Sequence, residues 1–176
     1  MKESTAQNVF ETERLIVRHY TEADADNFFL LNGDPLVMRY IRPVKSREQT
    51  DLFLTEVIQY SKTNPAYGRM AVYEKQSGIF VGSFAIIPLE GTIHMQLGYS
   101  LLPSYWGKGF ATELTKAGLK YVFTQTNLEE IFGVTESGNI DSQKVLLKSG
   151  FVWHSSVMEE TKELYRFLLL KKDFEY

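Results

Sequence analysis

In some segments of the chain apolar residues recur with the spacing of a helix, and in others they follow the pattern of a strand. Residues 14–20 are rich in β-forming side chains and predict a strand, and Thr21 opens a helix that ends at Gly33-Asp34-Pro35. A capping box that begins at Ser46 predicts a second helix, ending near residue 64. The first third of the chain therefore has the order β-α-α.

Shorter apolar runs dominate the rest of the chain. The predicted elements are strands over 68–74, 79–87 and 92–101, a helix over 109–125, a strand over 131–135, a helix over 140–148, and strands over 151–158 and 163–170. Within 92–101 the odd positions from Ile93 to Leu101 are apolar, which predicts that they face the core. This order of elements is typical of an α+β fold.

Length and composition narrow the class of protein. The 176 residues, 44% of them hydrophobic, contain no Gly/Ser linker or low-complexity tract, so we expect one domain spanning 1–176. The formal net charge of −3 argues against a general nucleic-acid binder. The absence of cysteine excludes disulfides, thiolate metal sites and thiol nucleophiles. A polar start and the lack of a long apolar run predict a cytoplasmic protein without a membrane segment.

The segment LLPSYWGKGFAT, residues 101–112, joins a strand to a helix through two glycines that flank a lysine. Unpaired N–H groups and the positive end of the macrodipole make such a helix start an anion site. The alternative is a tight turn in which Lys108 is simply solvated. A dinucleotide fingerprint fits poorly, since Thr112 stands where its third glycine belongs, and the P-loop spacing is absent.

A second polar segment surrounds the start of the helix at 140–148. Asn139 can cap this helix, and capping alone would explain its presence. Ser142 falls in the first turn, where its hydroxyl could donate a proton to a leaving group held at the neighbouring strand. His19 and His154 have no second ligand at metal-binding spacing, so we expect no metal site.

Several motifs, in order, resemble the GCN5-related N-acetyltransferases (GNAT). They are Trp-Gly-Lys-Gly-Phe-Ala at 106–111, the pair Asn139 and Ser142, and Lys-Ser-Gly-Phe at 148–151. The segments 13–18 and 97–101 resemble the RimJ/RimL branch of that superfamily. The resemblance covers about 11–170.

The resemblance implies a mixed, mostly antiparallel seven-stranded sheet flanked by about four helices, with acetyl-CoA between splayed strands at 92–101 and 130–135. Backbone groups near Tyr99 would hold the pantetheine arm and polarise the thioester, while the loop that begins at Trp106 would bind the pyrophosphate. Asn139 would contact the pantetheine arm or a water. The residues assigned in this way to the cosubstrate are Tyr99, Ser100, Leu101, Trp106, Gly107, Lys108, Gly109, Phe110, Ala111, Asn139 and Ser142.

Two departures from the family pattern affect the catalytic assignment. Many members carry a tyrosine as thiolate acid where this chain has Leu146, which leaves Ser142 as the candidate acid. Relatives often carry Glu where Gln96 stands, and Gln cannot act as a base. His94 and Glu136 are the alternative candidates for the group that deprotonates the amine. For both, the favoured alternative is an ordinary structural role, as a half-exposed strand histidine and a solvated loop carboxylate.

The leading hypothesis is thus direct transfer of an acetyl group from acetyl-CoA to a primary amine in a ternary complex. The competing hypotheses are a CoA-binding sensor without turnover and, more weakly, a nicotinamide oxidoreductase. The acceptor could be a protein N-terminus or a small molecule; Arg39, Tyr40 and Arg42 border its entrance by resemblance, although a solvated turn is equally plausible. The apolar last strand makes a homodimer reasonable.

Overall fold

A single eight-stranded sheet organises residues 8–176, the part of the chain that the computed structural model describes. The strands are β1 (Asn8–Glu11), β2 (Leu15–His19), β3 (Gly68–Glu74), β4 (Phe80–Pro88), β5 (Met95–Leu101), β6 (Glu130–Glu136), β7 (Val152–Glu159) and β8 (Lys162–Leu170). The helices are α1 (Ala25–Asn32), α2 (Pro35–Met38), α3 (Arg47–Thr63), α4 (Phe110–Gln125) and α5 (Ile140–Lys148).

The sheet has the order β1-β2-β3-β4-β5-β6-β8-β7, and β5–β6 is its one parallel pair within residues 8–176. These two strands share two register pairs, Gln96 with Phe132 and Leu97 with Gly133. Residues 98–101 of β5 then continue along β4, while residues 134–136 of β6 continue along β8. We call the opening between 98–101 and 134–136 the β5–β6 gap.

Helices cover both faces of the sheet. On the α4–α5 face the packing is tight, because a Cβ added to Gly118 of α4 would lie 2.3 Å from the Phe84 ring and one added to Gly133 of β6 would lie 2.7 Å from Leu146. Leu97 and Leu101 of β5 belong to this core. The α1–α3 face carries a second, smaller core, in which Ala71 of β3 packs with residues of the three helices.

The expected seven strands and about four helices are corrected to eight strands and five α-helices within residues 8–176. The additional strand is β1, which pairs with β2. The additional helix is α2. The carboxylate of Asp34 accepts from the N–H groups of Leu36 and Val37, so Gly33-Asp34-Pro35 ends one helix and also begins the next.

The strand predicted over 92–101 begins three residues later, at Met95. Residues 89–94 form the turn before it, in which the N–H of Leu89 donates to the carbonyl of His94 over 2.9 Å. Ile93 is consequently 96% exposed, and the prediction that it faces the core is wrong. The alternation itself continues correctly from Met95 to Leu101.

The last strand lies inside the sheet and not at its edge. β8 pairs with β6 on one side and β7 on the other, and its Phe167 and Leu169 are buried. The exposed apolar side chains of this region are on the edge strand β7, where Trp153 is 58% exposed. No helix within residues 8–176 is long and apolar enough to cross a membrane.

Candidate active site at the β5–β6 gap

The β5–β6 gap leaves polar backbone without a strand partner on one side. Residues 98–101 pair with 82–85 of β4, and residues 134–136 pair with 164–166 of β8, but the facing edges of β5 and β6 do not pair with each other there. Unpaired N–H and C=O groups at a strand edge readily hydrogen-bond an extended ligand. The gap can therefore accept a chain-like molecule that carries amides.

The start of α4 opens on the α4–α5 side of this gap. Gly107 and Gly109 have φ angles of +71° and +80°, a region that side chains rarely adopt, and a Cβ at Gly107 would meet open space. Gly109 is the N-cap, and within the described residues no side chain caps the first N–H groups of α4. These groups are free to bind an anion, and the anion site expected from the sequence stays a prediction.

Two side chains fix this loop through contacts that the sequence did not indicate. The guanidinium of Arg14 donates to the carbonyl of Lys108 over 3.1 Å and to Glu113 over 2.6 Å, and lies 4.1 Å from the Phe110 ring centre. The indole N–H of Trp106 donates to the carbonyl of Leu101 over 2.7 Å, at the edge of the gap. The loop is thus fastened both to the turn before β2 and to β5. Arg14 is about 95 residues from the loop in sequence, so no local pattern identifies it.

Two hydroxyl groups meet beside the gap. Tyr99 Oη donates to Ser142 Oγ over 3.3 Å, which joins β5 to the first turn of α5. Burial raises the pKa of the Tyr99 phenol, which therefore stays protonated at neutral pH. The side chain of Asn139 accepts from the N–H of Ser142 over 3.2 Å, so Asn139 caps α5. The family resemblance implies a role only for backbone groups near Tyr99, so the hydroxyl of this residue is an addition to the predicted site.

The two candidate bases lie at opposite ends of the strand pair. Glu136 ends β6 beside the gap and forms an ion pair with Lys162 of β8. His94 precedes β5 and contacts Glu130, Nδ1 to Oε1, over 2.6 Å. Five residues of extended chain separate His94 from Tyr99, which is about 16 Å. The structure therefore brings Glu136 together with the gap and leaves His94 at the closed end of the strand pair.

The segment after α2 reaches the opposite side of the gap. A Cβ on Gly138, in the β6–α5 loop, would lie 3.6 Å from the ring of Tyr40. Gln96, the residue that replaces a frequent Glu, donates through its amide to the carbonyl of Pro88 over 3.3 Å. Among residues 8–176, no three His, Asp or Glu side chains gather as metal ligands do.

Comparison with known proteins agrees with this arrangement. The sequence profile of the Acetyltransferase (GNAT) domain matches residues 14–152. An uncharacterized N-acetyltransferase, p20, of Bacillus licheniformis is 30% identical over 173 residues, which cover 93% of this chain and 96% of that protein.

Solved structures share the fold. Spermidine N-acetyltransferase from Vibrio cholerae, in complex with CoA and spermine, superimposes with a TM-score of 0.76 at 23% identity, over 90% of this chain and 96% of that one. Ribosomal-protein-S5-alanine acetyltransferase from Vibrio fischeri superimposes with a TM-score of 0.75 at 23% identity, over 95% of this chain and 98% of that one. The profile match, the mixed sheet and the gap within it together show that the chain belongs to the GNAT family of N-acetyltransferases.

Proposed function

We propose that this protein transfers the acetyl group of acetyl-CoA directly to a primary amine. The observation that carries the proposal is the β5–β6 gap, with an uncapped helix start on one side and the Tyr99–Ser142 hydroxyl pair beside it. The pyrophosphate would bind the N–H groups of Gly109 to Ala111 at the start of α4, and the pantetheine amides would pair with the free edge of β5.

The reaction needs two proton transfers and a stabilised oxyanion. The amine nitrogen attacks the thioester carbon, the C–S bond breaks, and the thiolate takes up a proton. Backbone N–H groups of 99–101 would stabilise the oxyanion, while Ser142, hydrogen-bonded to the protonated phenol of Tyr99, would supply the proton to sulfur. Without cysteine an acetyl-cysteine intermediate is excluded, and direct attack is the simplest route.

An alkylammonium has a pKa of about 10, so a base must remove a proton before attack. We propose Glu136, which is beside the gap, as the first candidate, acting directly or through water; His94 remains a more distant alternative. Glu136→Gln and His94→Gln test them. The acid side of the pH–rate profile should change in the variant that has lost the base; an unchanged profile in both variants removes both residues from the mechanism.

The acceptor class draws on the relatives. One neighbour is named a spermidine N-acetyltransferase and another a ribosomal-protein-S5-alanine acetyltransferase, and the first of these names specifies an amine acceptor. We infer a primary amine that enters from the side of Tyr40 and Gly138, opposite the α4 loop.

Thiol release from acetyl-CoA, measured against a panel of amines, tests the proposal. Amine-dependent release with stoichiometric acetylated product is the expected result. Tight binding of acetyl-CoA without turnover on any amine would indicate a sensor. Thermal stabilisation by NAD and not by acetyl-CoA would contradict the proposal and favour an oxidoreductase.

A further inference from the structure

Three cationic side chains surround one aromatic ring on the α1–α3 face. The Arg42 guanidinium carbon lies 5.0 Å from the ring centre of Phe53, that of Arg69 lies 5.5 Å from it, and Lys45 Nζ lies 5.3 Å from it. Arg69 comes from β3, Phe53 from α3, and the other two from the loop between α2 and α3. Cations commonly stack on aromatic rings, but three on one ring concentrate positive charge in a small volume.

These charges have no acidic counterpart within residues 8–176. No carboxylate there forms an ion pair with Arg42, Lys45 or Arg69. The Nε of Arg42 is buried and, among the same residues, has no hydrogen-bond partner. Burial and the charge of Arg42 lower the pKa of Arg69 to about 10. Like charges held together out of water are unfavourable, and an anion placed between them would relieve that cost.

The cluster lies in line with the β5–β6 gap. Arg69 pairs with Ala85 of β4, and Ala85 pairs with Gly98 of β5, so the three residues form one row across the sheet and share the α1–α3 face. Two strand spacings, about 10 Å, separate the backbone of Arg69 from that of Gly98. A Cβ on Gly98 would meet no atom of residues 8–176 within 4 Å, so among these residues the row ends in open space at the gap.

The loop that follows α2 joins the two ends of this row. Tyr40 lies beside the β6–α5 loop, where a Cβ on Gly138 would come within 3.6 Å of its ring, while Arg42 and Lys45 lie at Phe53. Beyond the gap, Arg166 of β8 pairs with Val134 of β6, and its Nε is also buried without a partner among residues 8–176. The acid of this side, Glu136, is already paired with Lys162. Arg166 and the cationic cluster therefore lie on the same face of the sheet, on either side of the gap.

We propose that the acceptor amine also carries an anionic group, a carboxylate or phosphate, which the cluster of Arg42, Lys45 and Arg69 binds while the amine reaches the β5–β6 gap. This inference rests on the proposed function and specifies its substrate class as small zwitterionic amines. The row between Arg69 and Gly98 is about 10 Å long, and the Arg69 side chain covers part of that distance. The anionic group and the amine of the acceptor should therefore be roughly 5–10 Å apart. Polyamines, which carry only positive charge, should be poor acceptors.

Matched acceptors test the charge requirement. We expect kcat/KM for 6-aminohexanoate to exceed that for hexylamine, a similar chain without the carboxylate, by about 10–100-fold. Phosphoethanolamine tests an acceptor that carries a phosphate, and spermidine tests one that carries only positive charge. If hexylamine or spermidine is acetylated as efficiently as the zwitterions, the inference is wrong, although the proposed acetyl transfer would stand.

Variants of the cationic cluster test whether its residues bind the anionic group of the acceptor. Arg42→Gln and Arg69→Gln should lower kcat/KM for 6-aminohexanoate by about 10–100-fold and leave that for hexylamine nearly unchanged. Arg69→Lys, which keeps the charge, should recover part of the loss. Lys62→Gln, an equal change of charge on an exposed residue at the end of α3, is the control. Equal losses on both acceptors would reject a role in anion binding. Absence of acetyl-CoA cleavage with every amine would instead count against the proposed function itself.

Discussion

Gly109 combines a backbone requirement with a position at the candidate pyrophosphate site. Its φ of +80° costs an alanine about 1–2 kcal/mol, although among residues 8–176 the added Cβ would meet only Arg14, at 3.6 Å. We expect Gly109→Ala to lower the free energy of unfolding by about that amount and to weaken acetyl-CoA binding at least tenfold. Chemical denaturation and calorimetric titration measure the two effects.

Gly78, in the turn between β3 and β4, offers a matched control. Its φ is +67° and a Cβ would meet no atom within 4 Å, so Gly78→Ala should cause a similar loss of stability. Its affinity for acetyl-CoA should stay that of the parent. A comparable loss of affinity in both variants would show that strain alone, and not the site, is responsible.

The hydroxyl pair beside the gap yields a kinetic prediction. If Ser142 delivers the proton to the leaving thiolate, Ser142→Ala should lower kcat by roughly 10²-fold with little change in KM for acetyl-CoA. Tyr99→Phe should have a smaller effect, because it removes the group that hydrogen-bonds the donor. Steady-state kinetics of both variants decide between the roles; a larger loss in Tyr99→Phe would make the phenol, kept protonated by its raised pKa, the acid.

At the scale of single residues, features that depend on neighbours in the sequence were predictable, whereas contacts between residues far apart in the sequence were not. The glycines at 107 and 109 and the cap at Asn139 follow from residue type and spacing. The contact between Tyr99 and Ser142 joins residues 43 positions apart, and Arg14 reaches Lys108 across 94. Arg69 had a weak signal as a charge within an apolar strand, but its neighbours Arg42 and Lys45 come from another part of the chain.

Between elements, Asp24 fastens the entry to α1 to the sheet. Its carboxylate accepts from Arg18 of β2 over 2.7 Å, from Tyr73 of β3, and from the N–H of Thr21 over 2.8 Å. Asp24→Asn breaks a buried ion pair and should lower the free energy of unfolding by about 3 kcal/mol at neutral pH. Thermal denaturation of both proteins checks this.

The pH dependence of that difference has a definite sign. Burial alone would raise the pKa of Asp24, but hydrogen bonds from Arg18, Tyr73 and Thr21 outweigh it and the pKa is lowered. The stabilisation is therefore complete above the unfolded pKa, about 4, and disappears as the pH falls through the folded value. The difference in Tm should be constant from pH 8 to 5 and shrink below about pH 4. A difference that grows on acidification would contradict this assignment.

Elements with strong periodicity were predicted almost to the residue, whereas short ones were missed. The helix expected over 140–148 and the strand over 68–74 have these bounds in the structure. β1 and α2 have four residues each, too few for a period to be seen. Ile93 shows the opposite error, since alternation extended a strand into a turn.

At the scale of the whole molecule, the homodimer stays a prediction, but the surface on which it would form is a different one. The last strand is inside the sheet, so the apolar surface available for a homodimer is on β7, around Trp153. We expect light scattering to give twice the chain mass of 20.3 kDa, and Trp153→Lys to halve it. Ile93→Lys, at an exposed apolar residue of the turn before β5, should have no effect. A mass of one chain at all concentrations would rule the dimer out.

The α+β class and the order of most elements followed from the sequence, because they depend on local periods. The arrangement of strands did not. The pairing of β5 with β6, and of β6 with β8 before β7, depends on long-range contacts that no local period encodes. The resemblance to the GNAT family supplied the splayed strands.

The two register pairs between β5 and β6 also affect how the sheet resists opening. They join a five-stranded part of the sheet to a three-stranded part through few interstrand hydrogen bonds. If acetyl-CoA bridges β5 and β6 as proposed, it holds these two parts together, and at 100 times its Kd it raises the free energy of unfolding by about 2.7 kcal/mol. Hydrogen exchange in β5 and β6 should then slow in proportion to ligand occupancy. The lifetime of the protein against proteolysis would follow the supply of its own acetyl donor.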